Sequence, residues 1–333
     1  MTDDSFIFHH IIKRLNIRTL FFLYLSSSSV FCYNNSAYER TDGTMHHIET
    51  AKMSRRTFLK KLARTGLAAA LATTAAYSYA RWIEPACVSV TRHTLSHPLI
   101  PKSFAGATML QFSDLHLGHY YGLKRFDQVI DQINKLEPDL IVFTGDLLHE
   151  ANRYPHTEAV AEALARLRAP LGKFSVYGNH DHGGYGTDIY RRLMERAGFR
   201  VLVNEHALIR RGQHAIAIAG SDDMMLGRPD WSKMTNGIPP ATYTIALVHE
   251  PDGALETSRL PIHVQLSGHS HGGQIQLPFI GPLITPPLSE RYYEGFYHVG
   301  GLLLYVNRGL GTTRVPLRFF APPELTVFSL TPG

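Results

Sequence analysis

The sequence predicts an α/β protein, a two-sheet α/β sandwich flanked by helices, on three observations. Short apolar runs alternate with amphipathic stretches and Gly-rich turns from about Thr91 to the C-terminus, with no internal repeat or low-complexity segment. The first half of that region follows a strand, helix, strand order, whereas strands dominate the second half. Clusters of Asp, His and Asn recur directly behind the apolar runs, as expected where strand ends meet a ligand crevice.

Each element has its own signal. Residues 107–112 read as a buried strand, Phe126, Val129, Ile130 and Ile133 fall at helical spacing, and residues 140–143 are apolar throughout. Together they form a β-α-β unit. Residues 159–167 repeat the helical pattern, 173–177 the strand, and 189–197 give a third helix before Gly198. The strands expected after that are 201–203, 207–209, 215–219, 244–248, 263–266, 302–306 and 325–330, joined mostly as hairpins.

With 333 residues, 44% of them hydrophobic, the chain can bury a substantial core. The formal net charge is +5, but residues 1–86 hold eleven Lys/Arg and six Asp/Glu, and 11 − 6 = +5, so the rest of the chain is neutral. That balance argues against extended phosphate contacts, and nucleic acid is not expected as a partner. Cys32 and Cys87 cannot build a disulfide framework, which leaves His, Asp, Asn and Glu as the ligands of any metal site.

The basic excess belongs to a leader. Ser54-Arg55-Arg56-Thr57-Phe58-Leu59-Lys60-Lys61 places paired arginines ahead of an Ala-rich run over residues 66–80, with small residues Ser78 and Ala80 near its end. This order resembles a twin-arginine export signal; an ordinary basic amphipathic helix is the plainer alternative. The apolar run is shorter than the roughly 20 residues that cross a bilayer comfortably, so a retained anchor is the second choice. Residues 1–52 read as an over-extended start, with Met53 as the expected initiator. The expected organisation is therefore extension 1–52, signal or anchor 53–86, and catalytic domain 87–333. Export through the twin-arginine machinery to the periplasm or cell envelope follows, with membrane contact.

The chemistry lies in five blocks: Asp114-Leu115-His116, Gly145-Asp146, Gly178-Asn179-His180-Asp181, His249 and Gly268-His269-Ser270-His271. Any one alone is an ordinary turn or cap. In order, at the ends of successive apolar runs, they supply the carboxylate, amide and imidazole groups that two divalent cations need. His119, His149 and His182 sit near these blocks without a pattern that makes them ligands. Asp222 and Asp223 read as turn residues.

This order resembles the calcineurin-like metallophosphoesterases, whose pattern is DxH, GD, GNH[DE], a lone His and GHxH. The resemblance covers about residues 107–330 and implies a two-metal site: Asp114, His116 and His271 on one ion, Asn179, His249 and His269 on the other, and Asp146 bridging. It also implies water attack on phosphorus, in line with the leaving group, between ions about 3.5–4 Å apart. Mn, Fe, Zn or Mg would suit these ligands. His180 is then expected to protonate the leaving oxygen, with Asp181 fixing its tautomer.

The tail, from Tyr305-Val306-Asn307-Arg308-Gly309 through Ala321-Pro322-Pro323-Glu324, looks like the YkuE-like branch of that superfamily. Relatives there include UDP-2,3-diacylglucosamine pyrophosphatases of lipid A synthesis, which implies a phosphorylated small-molecule or lipid-linked substrate. The lipid A reaction faces the cytoplasm, whereas a twin-arginine signal directs a folded protein outward. Two other functions compete: a nucleotide or nucleic-acid phosphodiesterase, and a non-catalytic metal-binding scaffold. Arg308, behind the apolar run 302–306, has two readings, a substrate-phosphate clamp or a surface arginine neutralising a carboxylate.

Overall fold

The computed structural model describes residues 38–41, 44–47, 53–182 and 187–333. Contacts divide the chain into two units, Met1–Ser78 and Tyr79–Gly333. In the first, strands β1 (Tyr38–Thr41) and β2 (Thr44–His47) pair antiparallel. Helix α1 (Arg55–Ser78) runs for 24 residues with no buried side chain. Among the described residues, no helix is long and apolar enough to cross a membrane. Most of the expected extension 1–52 lies outside the described residues.

The second unit begins at Tyr79, earlier than the expected boundary at residue 87. Backbone hydrogen bonding explains the difference. Residues Tyr79–Ile83 form a π-helical turn and Glu84–Ala86 a 3-10 turn. Arg318 N donates to the Ala80 carbonyl at 2.9 Å. The Glu84 carboxylate, only 2% exposed, accepts the N–H groups of Phe320 (3.0 Å) and Ala321 (2.6 Å). Buried backbone groups need such partners, so this segment is part of the folded unit.

Two six-stranded sheets face one another. The first runs β3 (Ser89–His97), β16 (Glu324–Pro332), β4 (Thr108–Phe112), β5 (Leu140–Phe143), β6 (Lys173–Ser175), β7 (Arg200–Val201). The second runs β14 (Gly295–Val299), β15 (Leu302–Val306), β11 (Val264–Ser267), β10 (Thr244–Leu247), β9 (His214–Gly220), β8 (Glu205–Arg211). Period-two alternation sorts their side chains. Leu140 and Val142 of β5 meet Ile245 and Leu247 of β10 in the core between the sheets. Ile141 and Phe143 point the other way, into a core with helices α2 (Leu123–Lys135), α3 (Thr157–Ala165) and α4 (Thr187–Arg196). The residues of α2 buried there are the expected Phe126, Val129, Ile130 and Ile133. Behind the second sheet, Ala246, Val248 and Leu304 pack with Met234 of α5 (Trp231–Thr235) and Ala254 of α6 (Ala254–Thr257).

The second half departs from the expected hairpins. Strands β9, β10, β11 and β15 run parallel, and antiparallel hairpins join β8 to β9, β14 to β15 and the short β12 (Gln276–Leu277) to β13 (Gly281–Pro282). Strands β9, β10 and β15 are apolar on both faces because one faces the sandwich core and the other α5 and α6, whereas β11 turns buried Gln265 and Ser267 to that second side; strands so covered belong to parallel sheets. Six parallel strands, β4, β5 and β6 with β9, β10 and β11, therefore end at one edge, tied across the sheets by Gln111. Its buried amide donates to Thr144 Oγ1 (3.1 Å) and to the Ser267 carbonyl (2.9 Å).

Candidate metal centre

Every predicted ligand follows one of these strand ends. Asp114 and His116 come after β4, Asp146 after β5, Asn179 and His180 after β6, His249 after β10, and His269 and His271 after β11. The chain turns there by adopting left-handed backbone at Asp114 (φ 52°), His116 (48°), Asp146 (61°), His269 (67°) and His271 (52°). That conformation is unfavourable for residues with a Cβ, so the surrounding packing must hold it. Gly145 is required beside Asp146: its φ is 97°, and a Cβ would sit 2.6 Å from both Gly178 N and His249 Nδ1.

Among the described residues, Asp114, His116 and His271 form one buried triad and Asp146, His249 and His269 another. In the first, His116 Nε2 lies 3.0 Å from His271 Nε2, which is 3.5 Å from Asp114 Oδ1. In the second, His269 Nδ1 lies 3.2 Å from His249 Nε2. Asp146 Oδ2 joins them, at 3.4 Å from both His116 Nε2 and His249 Nε2.

The other ring nitrogens fix the tautomers. His249 Nδ1 lies 2.6 Å from the Thr144 carbonyl, and His269 Nε2 lies 2.9 Å from the Pro287 carbonyl. A carbonyl only accepts, so these nitrogens carry protons; the facing nitrogen of His269 presents a lone pair, and that of His249 offers one to a cation in place of a second proton. Two lone pairs and a carboxylate oxygen converging in a buried space call for a cation. Asn179 Oδ1, buried without a hydrogen-bond partner, adds a further acceptor on the adjoining turn.

Electrostatics agree. Burial pushes His116 and His271 well below the usual imidazole range and His269 down to about 4, keeping these rings neutral. Burial opposes charge on His249 as well, yet the Asp146 and Asp114 carboxylates hold it well above that range. Asp114 is pushed up to about 6 by burial. Burial would also raise Asp146, but His249, His180 and His116 around it hold it well below the usual carboxylate range. Positive charge is thus favoured at the point where the triads meet, and this nitrogen and oxygen donor set suits a hard or borderline divalent cation.

One expected contact is replaced by others. Asp181 does not orient His180, because its carboxylate accepts the backbone N–H groups of Asp146 (2.6 Å), Leu147 (3.0 Å) and Gly178 (3.1 Å). It fixes the loop that carries Asp146, while His180 Nδ1 is held by the His149 carbonyl at 2.9 Å. The Arg308 guanidinium lies against carboxylates: Nε is 3.3 Å from Glu324 Oε2 and a terminal nitrogen 3.8 Å from Glu294 Oε2. The carboxylate-neutralising alternative is the one its contacts match.

Asp222 and Asp223 do stabilise a turn, accepting the N–H groups of Arg228 (2.9 Å) and Leu226 (2.5 Å), and Asp222 also pairs with His182 at 2.7 Å. His149 was passed over in the sequence, yet its Nδ1 is 3.5 Å from His116 Nδ1. Arg318 was missed too. Wholly buried, it donates to the carbonyls of Gly311, Ala321, Arg308 and Gly309, and its guanidinium lies 3.5 Å from His271 Nδ1. No motif surrounds it; its one signal is an arginine after the apolar Val315-Pro316-Leu317.

A sandwich whose parallel strands end on paired His and Asp triads is the architecture of a metal-dependent phosphohydrolase, and the chain belongs to the calcineurin-like phosphoesterase family, whose pattern matches residues 107–273. Its relatives place it more narrowly. It is 50% identical over 280 residues to the uncharacterized metallophosphoesterase YkuE of Bacillus subtilis (strain 168), covering 84% of this chain and 98% of that protein. Phosphodiesterase YaeI of Escherichia coli (strain K12) is 28% identical, over 84% of this chain and 99% of its own length. UDP-2,3-diacylglucosamine pyrophosphatase LpxG of Chlamydia trachomatis is 29% identical, over 78% of this chain and 96% of its own.

Proposed function

We propose that the chain is a binuclear metal-dependent hydrolase of phosphoester or pyrophosphate bonds in the cell envelope, acting on a lipid-linked substrate. The observation that carries the two-ion reading is Asp146 Oδ2, equidistant at 3.4 Å from a ring nitrogen of each triad. Asp114, His116 and His271 would hold one ion, Asn179, His249 and His269 the other, and Asp146 both. Divalent cations held by these residues would supply positive charge for the phosphoryl oxygens and for an attacking water.

The protein's own groups do the rest. His180 N donates to Asp146 Oδ1 at 2.8 Å, which locks the turn carrying Asn179 and His180 against the bridging carboxylate. With Nδ1 donating to the His149 carbonyl, Nε2 is the His180 atom that would hand a proton to the departing oxygen, a step that starts from the imidazolium form and leaves the neutral ring with its proton on Nδ1. The envelope location rests on the paired arginines Arg55 and Arg56, and the substrate class on the similarity to LpxG.

The test is hydrolysis of a UDP-linked diacylglucosamine beside simple phosphodiesters by the metal-loaded protein. Preference for the lipid-linked pyrophosphate supports the reading. Turnover confined to nucleotides or nucleic acid would replace it with the phosphodiesterase alternative.

A further inference from the structure

The second unit opens on an apolar face. Tyr79, Trp82 and Ile83 are 42%, 60% and 53% exposed, and Phe320 is 56% exposed. They belong to one surface: the Tyr79 ring stands edge-on to Phe319 at 6.2 Å, and Phe319 to Phe320 at 4.6 Å. This surface is built, not frayed. Arg318 N on the Ala80 carbonyl and the Glu84 carboxylate on the N–H groups of Phe320 and Ala321 pin the two segments together. The one acidic side chain of the turn is thereby buried.

The same turn reaches toward the metal centre. Arg81, whose guanidinium lies 5.7 Å from the Trp82 ring centre, lines a cavity of about 570 Å³ with His119, Tyr120, Tyr154 and His156. From that wall a row of imidazoles runs inward: His119 stacks on His149 at 4.0 Å, His149 on His180 at 4.7 Å, and His180 stands edge-on to His116 at 4.7 Å.

Exposed Trp, Tyr, Phe and Ile beside an arginine are the side chains that sit well at the headgroup boundary of a bilayer, where each ring has one apolar and one wet side. Charge selects the lipid. Upstream of Tyr79 in the sequence, residues 55–78 carry Arg55, Arg56, Lys60, Lys61 and Arg64 and no Asp or Glu. Such a segment is attracted to an anionic surface.

We propose that the face formed by Tyr79, Trp82, Ile83 and Phe320 docks on an anionic lipid bilayer, with the cavity at Arg81 and His119 receiving a lipid phosphate on its way to the metal centre. The docking stands on the face itself; the route for the phosphate rests on the hydrolase reading above.

The experiment uses the full chain with Trp231→Phe, so that Trp82 is the remaining tryptophan. Its emission is followed with phosphatidylglycerol vesicles carrying brominated acyl chains, alongside turnover of soluble bis(p-nitrophenyl) phosphate. Expected is a blue shift with quenching by bromine. Trp82→Ser with Ile83→Ser should weaken vesicle binding about tenfold, equivalent to about 1.4 kcal/mol, without slowing the soluble reaction. Trp82 emission indifferent to brominated lipid overturns the proposal, even if the basic segment makes the protein sediment with vesicles. Equal affinity for phosphatidylcholine vesicles overturns the anionic choice. Quenching without turnover of the soluble ester upholds the docking while the hydrolase reading fails, and turnover without quenching does the reverse.

Discussion

Asp146 uses its two carboxylate oxygens differently: Oδ2 faces His116 and His249, while Oδ1 accepts the His180 N–H. Asp146→Asn keeps the shape and the acceptor but removes the charge, and Asn tolerates the left-handed backbone there. Metal content and turnover should both fall steeply with the fold intact; circular dichroism, metal analysis and kinetics together check this, and wild-type turnover with two ions bound would refute the bridge. His180→Asn should instead spare metal content and slow substrates with poor leaving groups most, because a weakly basic departing oxygen needs little protonation. A uniform loss across a leaving-group series would remove the acid role. Residues of this kind were legible in the sequence because each follows an apolar strand in a recognisable block. Arg318 was not, since its role comes from carbonyls at 308–311 and 321 that only the folded chain brings together.

Elements were legible in proportion to their burial. Strands β4, β5 and β6 and helices α2 to α4 were visible in outline because one-sided or two-sided burial leaves a clean period. Edge strands β3 and β14 were missed: their sequences, SVTRHTLSH and GFYHV, mix polar and apolar residues and are only partly buried. The parallel pairing of β9, β10, β11 and β15 was missed because an apolar run does not declare its direction. The start of the unit at Tyr79 was hidden for another reason, since Glu84 acts through backbone N–H groups more than 200 residues away. Glu84→Ala should leave both N–H groups without that acceptor and cost about 2–3 kcal/mol. Chemical denaturation checks this, and an unchanged midpoint would return the segment to the leader.

At the scale of the molecule, the two sheets meet at an edge where Asp114 and Asp146 are buried with His116, His269 and His271, rings that burial keeps neutral, and with His249 as their nearest positive charge. A bound cation relieves that arrangement, so chelation should lower the melting temperature as well as abolish activity, by an amount set by mass action: about 2.7 kcal/mol for an ion present at 100 times its Kd. Calorimetry before and after restoring Mn measures it, and a melt indifferent to chelator would deny the cation a structural part. The proposed export is tested separately. On the twin-arginine reading, replacing Arg55 and Arg56 together by Lys should trap the protein in the cytoplasm, because a signal of that kind is read through the arginine pair rather than through charge; unchanged envelope fractionation would remove the reading.

The five left-handed positions at Asp114, His116, Asp146, His269 and His271 bear on how such a protein changes over generations. Each holds a backbone conformation that Gly adopts freely and other residues adopt at a cost of about 1–2 kcal/mol. While the ion is bound its stabilisation outweighs that strain, but once the ion is lost, selection for robustness alone would find gains at these very sites, and a lineage relieved of its substrate would drift toward an inert, metal-free sandwich. A thermostability screen run on this protein in the presence of a chelator should enrich Gly and Asn there first.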